Sequence, residues 1–305
     1  MIVRDRPSFL QVIFTVRGSV LERIWPQIGM VVAVSAIVVF THKHAPEWVP
    51  VFNGAPFALL GVSLSIFLGF RNSACYDRWW EARKHWGQMV ASVRDLARQT
   101  QLLERYGAGA ARRELLHLAS AHAYALADRL RPGAGAGALT ACVPPALQPG
   151  LAASENKPHF VLMAMGDILV RLRADKLLSD MEFYMIDQTV THMNGVAASC
   201  ERLHKTPVPF GYTLLLLRTA YVFCLFVPFG FAEVLGWTTP VAAAVFAYTL
   251  FGLDALGDEL EEPFRDLPNG LPISAMAINI DIMLRQSLGE TSLPPLPKPV
   301  DHVLL

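Results

Sequence analysis

Charge is scarce in this sequence. Only 17% of its 305 residues are Asp, Glu, Lys or Arg, where soluble domains run nearer about 25%. The charge that is present cancels, 26 basic residues against 26 acidic ones, which removes any global pull toward nucleic acid. Cysteine is sparse too. Cys75, Cys142, Cys200 and Cys224 fall at no C-x-x-C spacing, so neither a zinc site nor a redox pair is indicated. They read as buried thiols in a reducing compartment. There is no strand signal, no internal repeat, no Ser/His/Asp grouping, no Gly-rich phosphate loop and no pair of catalytic carboxylates. The histidines lack supporting carboxylates at ligand spacing, so no metal site is expected. The first 23 residues spread their arginines too widely for a secretory signal and lead into no small-residue cleavage site.

What is abundant is apolar sequence, 53% of the chain, and it is gathered into runs. A helix needs about 20 apolar residues to cross the hydrocarbon core. Four runs qualify: from Arg23 to His42, from Glu47 to Arg71, from Pro207 to Ala232 with Arg218 inside it, and from Val234 to Leu253. Arg4, Arg6, Arg17 and Arg23 precede the first run, and most other basic residues lie between Arg71 and Lys205. The positive-inside rule then puts both termini and the middle segment in the cytoplasm, with two short hairpin tips on the other side. The expected architecture is an all-α membrane protein with four transmembrane helices per subunit and a large helical cytoplasmic domain. Its parts are an N-terminal cytoplasmic segment (1–23), transmembrane helices 1 and 2 (24–71), a cytoplasmic helical domain (72–206), transmembrane helices 3 and 4 (207–257) and a C-terminal cytoplasmic segment (258–305).

Within the middle segment, residues 72–105 carry apolar residues at helical spacing and no proline, so an unbroken helix is expected to continue the second span. Its alternating charges, Asp77, Arg78, Glu81 and Arg83, are placed to pair along it. A second helix is expected over 110–130, then a Gly/Pro/Ala loop, PGAGAGALTACVPPALQPG, that excludes regular helix. Further helices are expected over 158–175 and, behind a Ser179-Asp180 cap, to about residue 203. The tail from Leu293 reads as extended.

Three features bear on function. Val62, Ile66 and Phe70 are spaced by four and share one helix face, while Gly61, Ser63, Ser65 and Gly69 permit close helix approach. Such a stripe forms a hydrophobic constriction when identical helices surround an axis; plain packing is the competing reading. Arg218 sits in a span and calls for a partner or water. Asp254, Asp258 and Glu261 fall at i, i+4 and i+7, an acidic face that either attracts cations or pairs structurally.

The blocks FLGFRNSACYDRWWEARKHWG (67–87), CERLHKTPVPFGYTLLLLRTAY (200–221) and GLDALGDELEEPF (252–264), with the arginine-rich start, resemble the bestrophins in their bacterial branch. The resemblance implies a homopentameric ion channel around a central pore, in the bacterial inner (plasma) membrane. It implies a pore neck at Val62, Ile66 and Phe70 and a cytoplasmic aperture at Met181, with Tyr184 as the alternative. The acidic run of animal members is interrupted here, which puts calcium regulation in doubt, and no cofactor is expected. The expected partners are further copies of the chain, the lipid bilayer and monovalent inorganic ions. Cation passage (Na+ or K+) is favoured on the acidic face, with an anion (chloride) channel as the alternative. A secondary transporter, a membrane enzyme and a non-conducting scaffold are the rival readings.

Overall fold

The computed structural model describes residues 1–2, 18–50, 52, 54–300 and 302–304. Among these the protein is helical, and its only β pairing is a pair of isolated bridges, Ile2 with Val303 and Val300 with Val303. The helices are α1 (Leu21–His44), α2 (Gly54–Gln99), α3 (Gln101–Arg105), α4 (Gly109–Leu130), α5 (Ala136–Ala141), α6 (Gln148–Ala153), α7 (Lys157–Ala174), α8 (Asp180–Lys205), α9 (Phe210–Leu235), α10 (Thr239–Glu261) and α11 (Ile273–Ser287). Two compact units result. One is Arg4–Trp79 with Pro207–Glu262; the other is Met1–Val3, Trp80–Thr206 and Pro263–Leu305. Helix α2 belongs to both, at 46 residues or about 69 Å.

The apolar unit is built from α1, the first half of α2, α9 and α10. Its core joins Ile24 and Val31, Leu64 and Leu68, Leu216, Phe223 and Val227, and Ala243, Ala247, Phe251 and Ala255. The small residues of α10 let α1 lie close: a Cβ on Gly252 would touch Ile24 and Val20 at 3.7 Å. Helices α9 and α10 form an antiparallel hairpin. Tyr221 meets Phe251 with centroids 4.7 Å apart, Phe223 meets Phe246 at 6.0 Å, and Thr239 Oγ1 donates to Phe231 O at 3.4 Å. The reversal is at Gly236, with φ +51, three residues beyond Glu233, where the sequence pattern placed it. Glycine adopts that conformation without steric cost, so the helix runs on until it is reached. Ser63 and Ser65 return their hydroxyls to Leu59 O and Gly61 O, which satisfies polar groups inside an apolar helix. Of the small residues expected to admit neighbours, Gly61 packs under the Phe223 ring, whereas a Cβ on Gly69 would meet nothing within 4 Å.

The polar unit is organised around α4. Leu115, Leu116 and Leu118–Ala127 are buried without interruption, because alanines at 119, 121, 123, 125 and 127 let helices approach from every side. Tyr124 donates its hydroxyl to Asp281 on α11 at 3.2 Å, and Arg285 holds the same carboxylate at 2.9 Å. Arg131 collects the carbonyls of Phe264, Arg265 and Leu271 at 2.8, 3.0 and 2.9 Å, closing the turn that precedes α11. Burial pushes the thiols of Cys142 and Cys200 up to about 11 and about 12, which leaves them unreactive.

Three local expectations change. The helix from 72 breaks at Thr100, whose hydroxyl bonds back to Leu96 O at 2.8 Å, and resumes as α3. The Gly/Pro/Ala stretch holds one six-residue helix, α5, and the start of a second, α6. Its glycines work at the turn instead: a Cβ on Gly135 would lie 2.5 Å from Tyr124 O. And Glu81 pairs not along α2 with Arg78 or Arg83 but across to Arg202 of α8, at 2.6 Å.

His122, fully buried on α4, donates Nδ1–H to Pro158 O at 3.1 Å. Burial pushes it down from 6.5 to about 4. The unfolded chain therefore binds a proton that the folded one refuses between those values, so this stability is full above pH 6.5 and is lost as pH falls toward 4. Between pH 7.5 and 5 the loss is about 2 kcal/mol. Thermal unfolding of wild type and His122→Gln across that range should show a flatter pH dependence for the variant; equal slopes would contradict it.

Candidate functional site

The arrangement of α2 decides the site. At about 100° per residue, Leu64, Leu68, Arg71 and Cys75 cluster on one side, and all four are buried. Val62, Ile66 and Phe70 cluster roughly 170° away. These three are large and apolar, yet they stand 59%, 52% and 63% exposed. No side chain on this face carries charge from Gly54 to Phe70. Val62 and Ile66 also border an apolar groove of about 700 Å³, walled by Phe57, Phe223, Phe231 and Phe246.

One residue below the stripe the chemistry inverts. Arg71 is fully enclosed, with no exposed side-chain surface. Its Nη1 donates to Asp254 Oδ1 at 2.7 Å and its Nη2 to Asp258 Oδ1 at 2.6 Å, with Glu261 Oε2 at 3.5 Å. The i, i+4, i+7 spacing on α10 thus presents three carboxylates to one planar fork of donors, which suits a guanidinium and not an ammonium. Glu261 also accepts from Val208 N at 3.0 Å, Arg78 Nε donates to Glu261 O at 3.0 Å, and Arg23 pairs with Asp258. Two guanidiniums, Arg71 and Arg23, thus pair with the three carboxylates, while Arg78 binds the main chain of the same helix. Gly257 makes room for it: a Cβ there would stand 3.1 Å from Arg71 Nη1.

In the polar unit, α8 starts with a full capping box. Glu182 N donates to Ser179 Oγ, and Ser179 N donates to Glu182 Oε2. Met181 and Tyr184 extend from this first turn, 76% and 59% exposed, so both candidates for the aperture are available. The Ser179 hydroxyl and N–H, with the Tyr106 hydroxyl, hold the Glu182 carboxyl below its ordinary range. Arg218 is exposed on α9 and has no acidic partner among the described residues. Among those residues no three His, Cys, Asp or Glu side chains gather to hold a metal ion.

The family model of the bacterial and fungal bestrophin proteins matches residues 1–286. This chain is a bestrophin. It is 41% identical over 293 residues, covering 95% of this chain and 93% of the other, to a voltage-dependent anion channel-forming protein of Mesorhizobium japonicum. It is 36% identical over 294 residues to the voltage-dependent anion channel-forming protein YneE of Escherichia coli, with 96% of each chain covered. The crystal structure of a bacterial bestrophin homologue from Klebsiella pneumoniae is similar at 33% identity and a TM-score of 0.84, over 88% of this chain and all of that one. The expectation that the chain is no enzyme agrees with that family and those names.

In this bestrophin, the structure brings the three acidic candidates together and shows what they hold. Sequence reasoning used Arg71 as the charge that ends the second apolar run but missed it as their partner. A signal existed: a lone arginine directly after an uncharged run needs a counter-charge. Helix α11, which supplies Asp281 and Arg285 to the polar unit, was also missed, although its buried Ile273, Ala277, Ile280 and Leu284 recur at helical spacing.

Proposed function

We propose that this bestrophin forms a passive ion channel in which the Val62, Ile66 and Phe70 faces of several copies, five on the family resemblance, surround a hydrophobic neck. The carrying observation is the exposure of that apolar stripe opposite a fully buried face of the same helix. Identical rows around an axis form a constriction that controls passage by dewetting.

Three stretches are long and apolar enough to cross a membrane, Leu21–His44, Gly54–Arg105 and Phe210–Glu261. The last is folded back at Gly236, and its two arms of 26 and 23 residues each exceed the roughly 20 that one crossing takes. This supports four crossings, which put both termini on one side; the basic residues before α1 and between the second and third crossings favour the cytoplasmic side of the inner membrane. Trp48 and Trp237 stand exposed at the two hairpin tips and Trp25 near the opposite end of α1, positions suited to interfacial aromatic belts.

For selectivity, the relatives' names favour the anion alternative over the cation preference expected above. The acidic face that argued for cations is engaged by Arg71 and Arg23, which reduces its attraction for them. An uncharged neck also favours the ion that sheds water more cheaply, and chloride does so more readily than sodium. Purified protein in a planar bilayer under a NaCl gradient tests both parts. Current that reverses near the chloride equilibrium potential is expected. Reversal near the sodium potential would restore the cation reading, and no conductance would end the channel reading.

A further inference from the structure

The turn that carries Met181 also carries a fixed arrangement of charge. Asp180 precedes Met181, and its side chain is 84% exposed. Arg173, from the last turn of α7, donates Nε–H to Asp180 Oδ1 at 2.8 Å. The same guanidinium lies over the Phe183 ring, 5.5 Å from its centroid. Two independent contacts therefore hold this cation beside Asp180. The other carboxylate of the turn, Glu182, is taken up by Ser179 N at 2.9 Å, Ser179 Oγ at 2.6 Å and Tyr106 Oη at 2.9 Å. Lys176 sits in the linking turn, with φ +56, and borders the same open recess as Arg173, Asp180 and Glu182.

We propose that the Arg173–Asp180 pair sets the charge at the Met181 aperture and is a specificity-determining pair for the ions that pass. This rests on the aperture reading given above. An exposed ion pair adds little to stability, so what the contact changes is the local potential. Each subunit supplies one copy, and fixed charges around a constriction alter local ion concentrations steeply. With Arg173 in place the Asp180 charge is offset, and Glu182, whose partners are neutral, is the one carboxylate of this turn without a guanidinium beside it. Without Arg173, a second bare carboxylate per subunit would face the ion path.

Bilayer recordings under a NaCl gradient of the full-length protein test this. Arg173→Gln should lower the chloride-to-sodium permeability ratio by roughly three-fold or more. Asp180→Asn, which frees the arginine and keeps the Ser179 cap, should raise it. The double variant should return to the wild-type ratio, which a merely structural contact would not produce. Single variants with the wild-type ratio would overturn the proposal. A separate arm uses Met181→Cys with a charged methanethiosulfonate reagent, the four native cysteines being buried. Block of the current is expected. No block would remove the aperture reading and the pair's role with it; block with unchanged permeability ratios in Arg173→Gln and Asp180→Asn would remove the pair's role alone.

Discussion

Ile66→Ala should raise the channel's current several-fold. Ile66 occupies the middle of the exposed stripe, one helical turn from Val62 and one from Phe70. In the proposed neck, truncation there removes three carbons from every copy, which would both widen it and make it easier to wet. The loss should cost the fold little, because the side chain is 52% exposed in the single chain and leaves no enclosed cavity. Leu64→Ala provides the contrast. Leu64 is buried on the opposite side of the same turn, so its truncation should cost about 2–5 kcal/mol of stability without widening the neck. Single-channel recording together with thermal unfolding separates the two. Unchanged current in Ile66→Ala would undo the neck assignment.

Arg71→Ala should be the most damaging single substitution in the apolar unit. It withdraws the guanidinium that Asp254, Asp258 and Glu261 share, and leaves carboxylates uncompensated in a partly buried setting. Breaking such a cluster by removing one partner costs about 3–5 kcal/mol. Arg71→Lys keeps the charge but not the fork that reaches Asp254 and Asp258 at once, so it should fall between wild type and Arg71→Ala. Replacing the whole cluster (Arg71→Met with Asp254→Asn, Asp258→Asn and Glu261→Gln) should recover much of the loss, since the expense lies in the unpaired charges. Unfolding temperatures in detergent and the elution volume of the assembled protein report this. An Arg71→Ala protein as stable as wild type would show the cluster to be dispensable.

Much of this bestrophin was legible before any coordinates. The apolar runs, the Ser179 cap and the 62, 66, 70 stripe are local patterns, set by hydrocarbon thickness, backbone hydrogen bonding and the 3.6-residue turn. The break at Thr100 and the short helices α5 and α6 were not, because they depend on which surfaces lie beside them.

What the sequence by itself determined is the class of protein and the face of α2 that bears Val62, Ile66 and Phe70. Periodicity decides which residues share a face, and a scarcity of charge decides which segments can leave water. Only the tertiary structure decided that this face is exposed and what the acidic face holds. The stripe is exposed because Leu64 and Leu68 use the other side of α2 to meet α9 and α10. Asp254, Asp258 and Glu261 are spent on Arg71, 183 to 190 residues away in the chain. A charge pattern states how many carboxylates line a helix; the partner that holds them is chosen by packing.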